Sequence, residues 1–95
     1  MKTNLAPAHF AQSQIALAAT TDTTVLNEDT QRTYLAIQNT TAGILHVGFG
    51  AAASASTFQI AAGATWEPRT PPLDAIHLYA ASAGTVTVIT GQLSA

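Results

Sequence analysis

Ninety-five residues make one hydrophobic core and leave no room for a second. Cysteine is absent, which removes disulfides, thiolate metal sites and a cysteine nucleophile. Only 8% of residues are charged, against roughly 25% in an ordinary soluble domain; the three cations, Lys2, Arg32 and Arg69, are too scattered to build the basic patch that nucleic-acid binding needs.

Residues 1–12 show neither helical nor strand periodicity and read as an extended arm carrying Leu5 and Phe10, ahead of a domain over residues 13–95. Pro7, His9, Gln12 and Gln14 interrupt any apolar signal-peptide core behind Lys2. No run approaches the roughly 20 apolar residues that span a membrane. From there turn signals recur at the spacing of a sandwich or barrel. Segments 13–18 and 23–26 read as a first strand pair, closed by the polar turn Asn27-Glu28-Asp29.

Segment 32–39 (RTYLAIQN) is the clearest strand, with Leu35 and Ile37 on one face and Tyr34, Ala36 and Gln38 on the other. Gly43 supplies a turn, and 44–49 returns with Leu45, Val47 and Phe49 inward, so the two strands read as a hairpin. Residues 48–56 (GFGAAASAS) look like a flexible exposed loop. Segment 57–60 alternates again, with Phe58 and Ile60 facing one way. Gly63 turns the chain toward Trp66, and Pro68, Pro71 and Pro72 forbid regular pairing beyond it. Segments 75–80 and 85–90 read as a second hairpin with Ile76, Leu78, Val86 and Val88 in the core. The expected fold is all-β: an antiparallel, jelly-roll-like β-sandwich.

Opposite the core positions stand Tyr34, Ile44, His46, His77, Tyr79, Thr87 and Ile89. A solvated sheet would carry Lys, Glu and Arg there; uncharged and aromatic residues fit a protein–protein contact face. Leu5, Phe10, Tyr34, Ile44, His46, His77 and Tyr79 are therefore the candidate interface residues.

The pattern also resembles a class of small bacteriophage virion accessory proteins, of the capsid decoration or cement type. The matching residues are Arg32, Leu35, Ile37 and Asn39 in one strand and Gly43, Val47, Phe49 and Gly50 in the next. Ile60, Gly63, Trp66, Ala75 and Ile76 follow, and then Gly84, Thr85, Val86, Val88 and Gly91. The resemblance covers residues 30–91. It implies a structural, often oligomeric protein, here most simply a trimer, that packs on a major capsid protein or other virion proteins. Its expected location is the virion, assembled in the host cytoplasm. The class has no catalytic residues to carry over.

The chemistry-bearing residues give no competing reading. His9, His46 and His77 lack a third converging ligand partner, so no metal is expected. Asp74 and His77 have no Gly-x-Ser-x-Gly elbow to complete a triad, and Asp22, Glu28 and Asp29 lack the spacing of a calcium loop. No cofactor and no enzymatic activity are expected. Asn39-Thr40-Thr41 matches a glycosylation acceptor but reads as a turn. Trp66, Arg69 and Tyr79 suggest the alternative function, a carbohydrate- or receptor-binding module, possibly of a phage tail.

Overall fold

Several strands set their large apolar side chains at alternate positions (Leu35 and Ile37, Leu45 and Val47, Ile76 and Leu78, Val86 and Val88), and a half-buried strand needs a second layer to cover its apolar face. The computed structural model describes residues 8–93 and builds two such layers. The strands are β1 (Ala8–Leu17), β2 (Asp22–Leu26), β3 (Arg32–Asn39), β4 (Leu45–Phe49), β5 (Phe58–Ile60), β6 (Thr65–Trp66), β7 (Ile76–Ala80) and β8 (Gly84–Leu93). One four-stranded sheet runs β1-β8-β3-β6 and the other β2-β7-β4-β5. That alternation of sequential strands between layers is the jelly-roll order.

The core is the apolar lining between the sheets. Leu35, Ile37, Val86 and Val88 from the first sheet meet Leu45, Val47, Ile76 and Leu78 from the second, all with no more than 2% of their surface exposed. Leu17 and Ile60 complete it.

The pairing differs from the sequence expectation in a consistent way. β1 and β2 are not a pair, β3 and β4 are not a hairpin, and neither are β7 and β8. Each of these connections carries the chain from one sheet to the other. β1 pairs with β8 and β2 with β7, joining the two ends of the chain. β3 pairs with β8 and β4 with β7.

Two further expectations change. β1 begins at Ala8 rather than at residue 13, so residues 8–12 of the expected arm are sheet, in unbroken register with β8. Leu5 lies outside the described residues. Phe49 and Phe58 are not core: they are 40% and 45% exposed. They lean on Trp66 across the side of the sandwich where β5 and β6 end the sheets, with ring centroids 5.2–6.3 Å apart.

Polar side chains tie the loops. Arg32, 5% exposed, donates to the carbonyls of Asn27, Pro72 and Asp74, and so joins the β2–β3 loop to the proline-rich segment before β7. Asn39, fully buried, donates from Nδ2 to the carbonyls of Gly43 and Ile60. Its Oδ1 accepts from the Thr41 amide and hydroxyl. A side chain so enclosed is a loop organiser and is not available for glycosylation.

Candidate interaction surface

The outer face of the β1-β8-β3-β6 sheet is built by the residues that alternate with the core. Register places Phe10, Gly91 and Tyr34 in one row across β1, β8 and β3. Gln12 with Ile89 and Ala36 forms the next row, and Gln14 with Thr87 and Gln38 the one after. Phe10 is 65% exposed. It meets Tyr34 edge-on at 5.7 Å between centroids.

Gly91 makes that contact possible. A Cβ there would stand 2.8 Å from the Phe10 ring and 3.0 Å from Tyr34 Cβ, so the ring lies directly over bare backbone. The Tyr34 hydroxyl donates to Glu67 at 2.5 Å, which holds the phenol above its usual pKa. These three rows carry no Lys, Arg, Asp or Glu. Two of the expected interface residues, Phe10 and Tyr34, are thus brought together on one uncharged face.

The outer face of the other sheet is different. His46 pairs with Tyr79 and stacks edge-on against it at 5.8 Å, while His77 lies diagonally across, opposite Gly48. His46 is only 5% exposed, because the β4–β5 loop folds back over it. The loop is therefore a cover rather than the free, exposed segment expected from its Ala/Ser composition. Ala53 is 3% exposed, its amide donates to Asp22 at 2.8 Å, and the Thr57 carbonyl lies 3.2 Å from His46 Nδ1. Asp22 also lies 3.2 Å from His77 Nδ1. His46 is thereby removed from any surface a partner can reach. Ile44 stands just before β4, not on the sheet, and is 41% exposed.

Gly48 is where the cover meets the sheet. A Cβ there would sit 2.4 Å from the Ala51 carbonyl oxygen and 2.9 Å from the Ala53 amide nitrogen. Both are backbone atoms, so the loop must lift. Gly48→Ala is expected to lower stability by about 1–3 kcal/mol, the range for overpacking. Hydrogen exchange on residues 50–57 should speed up with it; unchanged protection there would show that the loop is not seated on Gly48.

Chemistry elsewhere is sparse. Among the described residues no three His, Asp or Glu side chains gather as metal ligands. A cleft of about 260 Å³ is lined by Leu26, Asn27, Glu28, Asp29, Arg32, Thr90 and Gln92. Within it Asp29 accepts from the Gln31 amide and from Gln92, which with Arg32 nearby holds its carboxyl below the usual range, while the buried Arg32 Nε has no hydrogen-bond partner.

No protein-family model matches the chain, and no curated protein matches it. Among solved structures, one from work on Bacillus endospore appendages, described there as a family of disulfide-linked pili, aligns over 99% of this chain and 97% of its own. The identity is 17% and the TM-score 0.47. A likeness at that level carries no argument about function, and the present chain has no cysteine with which to form a disulfide.

Proposed function

We propose that the chain is a non-enzymatic structural subunit that associates with copies of itself and with other proteins of a phage virion, decorating or cementing the capsid. The observation that carries this reading is the outer face around Phe10, Gly91 and Tyr34. It is wide, aromatic at one end, amide- and hydroxyl-bearing along the rest, and uncharged in its three rows. The hydroxyls and amides of these rows need only hydrogen bonds when covered, and the carboxylate beside them, Glu67, already accepts from the Tyr34 hydroxyl. A cementing protein gains affinity by making several modest contacts at once. The jelly roll serves viral capsid and lectin domains alike, so the fold by itself favours neither reading.

The test is recovery from particles. Gradient-purified virions from cells carrying the gene should contain the chain at a fixed ratio to the major capsid protein, and Phe10→Ser should reduce that ratio. Finding the chain only in the soluble fraction would overturn the virion assignment.

One observation favours a second reading, a carbohydrate- or receptor-binding module. Phe49, Phe58 and Trp66 gather three rings at one edge, two of them well exposed. Saccharide titration followed by Trp66 fluorescence checks it: a saturable shift, abolished in Phe58→Ser, supports sugar binding, and an unmoved spectrum discards it.

A further inference from the structure

A sheet edge presents a row of unpaired amides and carbonyls, and proteins normally blunt it with short strands, bulges, prolines or charges. Three of the edges here are blunted in that way. β6 is two residues long with Pro68 just beyond it, and β5 is three residues long. β2 has a register shift between Thr24 and Leu26 and carries Asp22. The remaining edge, β1, is ten residues long. Its register with β8 has no irregularity, and its sequence, AHFAQSQIAL, contains no proline and no Lys, Arg, Asp or Glu. Among the described residues no other element pairs with its outer side.

We infer that this edge is a strand-pairing site for β1 of a second copy of the chain, arranged antiparallel about a two-fold axis perpendicular to the sheet, so that two four-stranded sheets join into one. The inference rests on the self-association in the proposed function and names its geometry. A head-to-tail ring, such as the trimer the sequence suggests, needs a second open edge of matching length, and β2, β5 and β6 do not offer one. Only β1 matches β1, which makes the contact isologous.

The register follows from the faces. Paired residues of antiparallel strands lie on the same side of the sheet, so the axis must pass through a residue and not between two. Placing it at Ser13 sets Gln12 against Gln14 and Phe10 against Ala16 on the outer face, and Ala11 against Ile15 on the inner one. Amide then meets amide and large meets small, and no like charges oppose each other because neither strand has any.

The absence of native cysteine gives a direct test in the full chain. Ser13→Cys should oxidise to a disulfide-linked dimer at low protein concentration, because residues directly opposite on antiparallel strands lie within disulfide reach. Thr65→Cys on the β6 edge should not. Ser13→Lys, which sets two like charges face to face on an exposed position, should reduce the solution mass to that of the single chain while the chain still folds, with the same circular-dichroism spectrum and a cooperative melt. If the unmodified chain associates but Ser13→Lys keeps the same mass and Ser13→Cys does not link, the edge assignment is wrong and self-association stands. An unmodified chain that is a single copy at all concentrations overturns both.

Discussion

Asn39→Ala is expected to destabilise the fold by about 3–5 kcal/mol, a large share of the roughly 5–15 kcal/mol that holds a domain together. The side chain is fully buried and uses all of its polar capacity. Its amide nitrogen serves the carbonyls of Gly43 and Ile60, and its oxygen serves Thr41 twice. Thr41 Oγ1 also reaches the Gly43 carbonyl, so that acceptor keeps a partner. The Ile60 carbonyl and the Thr41 amide lose their side-chain partner, and each buried group left unpaired costs about 1–3 kcal/mol. Asn39→Asp separates hydrogen bonding from volume. At neutral pH a carboxylate would face two carbonyl oxygens, so the variant should be at least as unstable as alanine. Burial raises the pKa of such an acid, so its protonated form is the one the fold tolerates. Stability should therefore recover as pH falls through that raised value and be lost as it rises. Urea denaturation across pH reads both effects; a change under about 1 kcal/mol in Asn39→Ala would show that water replaces the side chain at little cost.

Arg32→Ala is expected to cost about 3–4 kcal/mol, on the scale of hydrogen bonds made by a charged group. The guanidinium fork is held by the Asn27, Pro72 and Asp74 carbonyls. These lie in separate loops, joined among the described residues by one backbone hydrogen bond, from the Asp29 amide to the Leu73 carbonyl at 2.8 Å. Arg32→Lys keeps the charge but replaces a planar fork with a point donor, and should fall between alanine and the natural chain. The check is denaturation together with hydrogen exchange on residues 27–31 and 72–75. Equal stability of the lysine variant and the natural chain would mean that charge, not the fork, closes this end.

The inward faces were legible in the sequence because strand side chains alternate with period two. Leu35 and Ile37, Leu45 and Val47, Ile76 and Leu78, and Val86 and Val88 all fall inside as their spacing predicts. Alternation says which side of a strand is covered, but not in which layer the strand lies. A short turn such as 39–43 reads the same whether it folds a hairpin or carries the chain to the facing sheet, so the three expected pairings of successive strands failed together. Phe49 and Phe58 have core-like phase but stand where the short strands β5 and β6 end the sheets, and they pack on Trp66 and on each other while staying exposed.

Two parts of the surface were hidden for other reasons. Residues 8–12 gave no strand signal because exposure extends to both faces there: Phe10, Ala11, Gln12 and Ser13 are all exposed. Ten-residue β1 and β8 outreach the five-residue strands of the other sheet, so apolar residues have nothing to pack on at their ends. The β4–β5 loop looked mobile because it is alanine and serine. Those small residues are what let its backbone lie on Gly48 and bury His46. The uncharged composition suggests a surface that is covered in use but does not locate it: Phe10 reads as part of an arm, whereas it lies on β1 beside Tyr34.

The most direct test of self-association is sedimentation equilibrium of the unmodified chain over a wide range of concentration. The mass should rise to twice that of the single chain and hold there, with higher multiples only when other particle proteins are present. A mass that stays at one copy throughout would contradict self-association and the strand pairing at the β1 edge.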